Sequence, residues 1–164
     1  MNRVRKAVVC SMLMACGVVL PVLFHSIPNS GRVLLPMHIP VYLCGLFCGP
    51  QYGLICGVFT PVLSMLLTSM PPAAVLGPMM IELGIYGLVS GFMMKRSHNV
   101  LLSLVSAMLA GRAAFGLMNA LVFHPGQYSF GIWISAAFVT AAPGIVIQLI
   151  LIPIVMKLLK HCNI

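Results

Sequence analysis

The sequence is almost without negative charge. Of its 164 residues only Glu82 is acidic, against nine Lys and Arg, and the formal net charge is +8. Charged residues make up 6% of the chain, where a water-soluble domain carries roughly a quarter. So little charge cannot cover a soluble surface. A single carboxylate also excludes chemistry that needs two acids set apart in pKa. No Gly-rich phosphate loop, no HExxH and no nucleophile elbow occur, so neither nucleotide hydrolysis nor acyl-transfer catalysis is expected. The chain is read as a non-enzyme that holds no cofactor and no metal. There is no CxxC among its six cysteines, and all but Cys162 lie in apolar segments, where free Cys packs as a small hydrophobe. Cys44 and Cys48 share a helix face, but a disulfide framework is not expected at membrane depth.

What is present is hydrocarbon. The chain is 61% hydrophobic with a mean hydropathy of +1.12, and its apolar runs are long enough for a bilayer. The basic residues punctuate these runs rather than forming a patch, so a nucleic-acid partner is not expected and the lipid bilayer is. The N-terminal "MNRVRKAVVCSMLMACGVVLP" has the basic start of a signal peptide, yet its apolar run continues to Phe24 and is read as a retained first span.

The pattern predicts an all-α bundle of six spans forming one domain over residues 1–164. They run roughly Ala7–Phe24, Met37–Gly49, Tyr52–Leu67, Ala73–Met94, Val100–Phe123 and Ile132–Met156. The second is short for a crossing. An even count places both termini on one side. Arg3, Arg5, Lys6, Lys95, Arg96, Lys157 and Lys160 then all fall on that side, the cytoplasmic one by the positive-inside rule. This predicts a multi-pass protein of the bacterial cytoplasmic membrane.

Two charges remain inside the spans. Glu82 lies twelve residues before Met94, and Arg112 lies twelve residues after Val100. At 1.5 Å per residue each sits ~18 Å from the inner face on adjacent antiparallel helices. A charge at that depth costs at least ~2.5–3.5 kcal/mol and is retained when it pairs or faces a cavity. Three readings follow: a structural ion pair, a wall of a substrate cavity, or a proton relay. Tyr86 is one turn from Glu82 on the same face, and Asn119 is seven residues from Arg112. Gly111 and Gly116 thin the helix around Arg112. His38 begins the second span, Gln127 and Tyr128 sit in the last outer loop, and Gln148 lies inside the sixth span. Together these predict a polar pocket in the outer half of the bundle, sized for one small polar molecule. In the first span Ala7, Ser11 and Ala15 recur every four residues, a small-residue stripe suited either to internal packing or to a docking partner.

The ordered segments "PMHIPVYLCGLFCGPQYG", "TPVLSMLLTSMPP", "IELGIYGLVSGF", "GRAAFGLMNAL" and "PGIVIQLILIPIVMKLL" follow a small-xxx-small first span. This order closely resembles the substrate-binding S component of energy-coupling factor (ECF) transporters of group II, from about Ala7 to Leu159. The resemblance implies a six-helix subunit that binds a water-soluble vitamin or precursor near its outer face. It implies docking on a transmembrane coupling subunit driven by two cytoplasmic ATPases, which use the ATP, with release inward by toppling. Ala7, Ser11 and Ala15 match the docking motif, with Ser in place of the central Ala. Glu82, Tyr86, Arg112 and Asn119 fall in the family's pocket by position, and Arg32 and His38 occupy the first loop and its junction with the second span. "MHIPV" and "MPP" lean toward pantothenate as the ligand, with pyridoxine or thiamine precursors next. The rival readings are a metal-uptake S component and a membrane scaffold that binds no solute.

Overall fold

The computed structural model describes residues 2–23, 35–123 and 129–161; Arg32, Gln127 and Tyr128 lie outside them. Among the described residues every regular element is helical. The helices are α1 (Arg3–Leu23), α2 (His38–Cys48), α3 (Pro50–Thr68), α4 (Ala73–Ser97), α5 (Val100–Met118), the short α6 (Phe130–Ile134) and α7 (Ala142–His161). Two π-turns, Asn119–Phe123 and Ser135–Val139, extend α5 and α6. Five stretches are long and apolar enough to cross a membrane: Arg3–Leu23, Pro50–Thr68, Ala73–Ser97, Val100–Phe123 and Ala142–Leu159.

The expected breaks are present, each with a local cause. Gly49 takes a φ of 98°, a left-handed value open to glycine, and Pro50 follows at the first helical positions, where its missing N–H costs nothing. α4 ends on Lys95 and Arg96, whose charges oppose the negative end of the helix dipole, and His98 closes it in the left-handed region. Asn99 then caps α5 by accepting from the backbone N–H groups of Leu101 (3.0 Å) and Leu102 (3.3 Å).

The last span departs from expectation. It starts at Ala142 rather than near Ile132, after α6, its π-turn and a turn at Thr140–Ala141. Pro143 explains the shift. In the middle of a continuous helix it would remove a hydrogen bond and clash with the preceding turn; in the first turn of α7 it does neither.

α2 forms the centre. Nine of its eleven residues are buried, and it is apolar all round, the signature of a helix enclosed by others. At ~16 Å it covers about half of a ~30 Å hydrocarbon core. α1, α3 and α4 pack around it, and α7 rests against α2 and α5. Where α2 and α3 meet α4 the contact is backbone on backbone. A Cβ on Gly53 would strike the Gly87 carbonyl, one on Gly87 would strike Gly53, and one on Gly91 would meet the Gly45 carbonyl at 2.7 Å. Lipid offers no hydrophobic drive between helices, so such close approach supplies dispersion contact instead. The outer surface is hydrocarbon, with Leu66, Leu101, Ile150 and Leu158 exposed.

The seam makes a prediction. Gly87→Ala should cost about 1–3 kcal/mol by overpacking, read as a lower melting temperature in detergent. Gly131→Ala should melt like wild type, because among the described residues its added Cβ would meet only Ser129 Oγ, at 4.0 Å.

Candidate functional site

The two intramembrane charges meet. Arg112 Nη1 on α5 lies 2.9 Å from Glu82 Oε1 on α4, and both side chains are buried. The Tyr86 hydroxyl, one turn along α4, donates to the same Glu82 oxygen at 2.6 Å. One carboxylate oxygen therefore accepts from both a guanidinium and a phenol, the short charge-assisted geometry expected in a low-dielectric interior. Room for Tyr86 comes from α5: a Cβ on Gly111 would run into the Tyr86 ring.

Aromatic rings surround this group. Tyr86 stacks at 5.0 Å on Tyr42 and at 5.4 Å on His38, both from α2. His38 and Tyr42 are four residues apart, so they share the face turned to α4. His38 is buried, and neither of its ring nitrogens has a hydrogen-bond partner among the described residues. A buried polar atom left unpaired is costly, and such exceptions in folded proteins cluster where a small molecule or water completes the set.

Beside the ion pair lies a cavity of about 170 Å³. Tyr42, Tyr86, Arg112 and Gln148 border it together with Val105, Met108, Leu109, Phe138, Ile145 and Leu149, and its surface is almost wholly apolar. The α5 lining recurs at Val105, Met108, Leu109 and Arg112, one face of the helix. Gln148 Nε2 donates to the Leu35 carbonyl at 3.4 Å, tying α7 to the chain just ahead of α2.

From Arg112 the α5 lining of this cavity runs through Leu109, Met108 and Val105 toward the α4–α5 turn. Asn119 is buried and turns its Nδ2 back to the Phe115 carbonyl at 2.8 Å, and it does not line the cavity. Trp133 fills the neighbouring space, its ring against Gly116 and its Nε1 donating to the Arg112 carbonyl at 2.9 Å. Glu82 likewise stands behind Arg112 and Tyr86 rather than on the cavity surface.

Of the residues expected at a site, Glu82, Tyr86, Arg112 and His38 converge, Gln148 borders the same cavity and Asn119 stands apart. Tyr42, Trp133 and Phe138 were missed. Tyr42 carried a signal, its one-turn spacing from His38; Trp133 carried only its uniqueness as the chain's one Trp.

On α1 the small-residue stripe faces outward: Ala7, Ser11 and Ala15 are all exposed. The Ser11 hydroxyl is satisfied within the helix by the Ala7 carbonyl at 3.0 Å. The inward side is Cys10, Gly17 and Val18, with Gly17 against Thr60 of α3. Internal packing is therefore served by Gly17, not by the stripe.

A buried polar constellation beside a small cavity, inside a helical membrane bundle, is the arrangement of a solute-binding membrane subunit. The chain belongs to the substrate-specific components of ECF transporters: the family model "ECF transporter, substrate-specific component" matches residues 5–156. No curated protein and no solved structure matches the chain.

The ion pair yields a sharp expectation. Arg112→Met leaves the Glu82 carboxylate buried and unpaired, and should cost about 3–5 kcal/mol. The double variant Glu82→Gln with Arg112→Met should recover most of that loss, a coupling measurable by a double-mutant cycle of unfolding in detergent. Additive losses would mean that the two groups do not interact.

Proposed function

We propose that this chain is the membrane subunit that captures a small water-soluble vitamin or vitamin precursor for an ECF-type importer, in the cavity between α2, α4, α5 and α7. The carrying observation is the position of Arg112. It lines the cavity together with Tyr86, while Glu82 pairs with its guanidinium and accepts from Tyr86.

The same geometry bears on the ligand. Arg112 is already neutralised, so a ligand carboxylate such as pantothenate's gains less there than from a free guanidinium. The walls carry two stacked tyrosines, and the cavity volume is close to the ~150 Å³ of an engineered cavity that accepts one benzene ring. A single polar ring, as in pyridoxine or the ring precursors of thiamine, suits this site better than the longer pantothenate. The Gln148 amide, on the cavity wall, offers such a ring a hydrogen bond near the tyrosines.

In this reading the chain makes six crossings, with α2 as the short central one, and both termini are cytoplasmic. The outward stripe of Ala7, Ser11 and Ala15 docks on a transmembrane coupling subunit. Two cytoplasmic ATPases on that subunit supply the energy for toppling and release. Arg32 is a further proposed ligand contact.

A vitamin screen by thermal shift on the purified chain tests the capture step. A ring ligand at ~100 times its Kd should add ~2.7 kcal/mol of stability, with pantothenate giving less. No shift with any vitamin would favour a scaffold that binds no solute. Separately, Ala15→Leu should bind ligand like wild type yet lose uptake in cells carrying the whole importer. Normal uptake would move the docking face elsewhere.

A further inference from the structure

A second cluster lies on the opposite side of α2 from the cavity. Cys10 of α1, Cys44 of α2 and Cys56 of α3 are all buried, and their Sγ atoms lie within 4.8 Å of one another. The Met14 thioether is 3.8 Å from Cys10 Sγ. Tyr42 and Cys44 are two residues apart, which turns them to opposite faces of α2, so this cluster shares no wall with the vitamin cavity. Three thiols from three helices, far apart in sequence, converge with a thioether beside them.

We propose that Cys10, Cys44 and Cys56 form a binding site for a soft monovalent metal ion of the Cu(I) class. Thiolate and thioether sulfurs are the ligands that select such ions. Three sulfurs around one ion at ~2.3 Å stand ~4.0 Å apart, so the cluster closes on a metal with sub-ångström movement. A structural Zn(II) site needs four strong ligands, and a thioether is not one of them. Each thiol that binds the ion as thiolate gives up one proton to solvent, and no electron moves, so the ion enters and leaves as Cu(I). Lys6, one turn before Cys10 on α1, brings a positive charge to the same end of the helix and offsets part of the charge left on the sulfurs. Binding clamps α1 to α2 and α3, and so stabilises the helix whose outer face carries Ala7, Ser11 and Ala15.

The test uses the full chain with Cys16→Ser and Cys162→Ser, which removes the exposed thiol of α1 and the C-terminal one. Cu(I) is presented anaerobically from a chromophoric chelator. The expected result is one ion per chain, a sulfur-to-copper charge-transfer band in the near ultraviolet and a higher melting temperature. Cys44→Ser should weaken binding by more than the ~100-fold that loss of an outer-shell partner costs. Cys10→Ser and Cys56→Ser should do the same, each checked for folding by its metal-free melting temperature and by retained vitamin binding. Three outcomes overturn the proposal: no copper taken from the chelator, copper binding unchanged in all three serine variants, or Zn(II) bound in preference to Cu(I).

Discussion

The pairing of Glu82 with Arg112 is the constraint around which the rest is arranged. Neither charge can stand alone at this depth, so each dictates the position of the helix that carries the other. Their contact at 2.9 Å sets α4 against α5 at one height. Tyr86 completes the carboxylate's shell, and its ring needs the space that Gly111 leaves open. Once that ring is placed, His38 and Tyr42 must pack on it, and α2 is held at the centre. The cavity is the space left on the far side of Arg112.

Lipid around the bundle gives this arrangement its form. With no hydrophobic drive to press helices together, α2 and α3 meet α4 through glycines at backbone distance, while long aliphatic side chains are spent on the outer surface. α7 sits outside that glycine seam, against α2 and α5, and supplies Ile145, Gln148 and Leu149 to the cavity. A binding wall carried by a helix outside the seam can move relative to the centre, which suits a subunit that must take up a ligand and give it up again.

The charges, being rare, were the most legible feature of the sequence. One acid and one intramembrane guanidinium at equal counts from the same turn left a single pairing to propose, and the helix breaks at Gly49 and at Ser97–Asn99 were written in local turn and capping chemistry. Two things could not be read. Trp133 packs on Gly116, and nothing near Trp133 in sequence points there. The thiol cluster draws on residues 10, 44 and 56, whose separation hides any ligand spacing; only Cys44 and Cys48 were close enough to be compared. The start of α7 was misjudged for a different reason, because hydropathy continues unbroken through α6 and only Pro143 marks the boundary.

The account stands on Arg112 as both an anchored and a ligand-facing group. Isothermal titration of the vitamin against wild type and Arg112→Lys tests this directly, because lysine keeps the charge opposite Glu82 but loses the planar fork of donors. The expected result is a folded protein whose affinity falls roughly tenfold or more, a change of ~1.4 kcal/mol. An Arg112→Lys protein that binds the vitamin as tightly as wild type would contradict it, and would leave Arg112 as a structural partner of Glu82 alone.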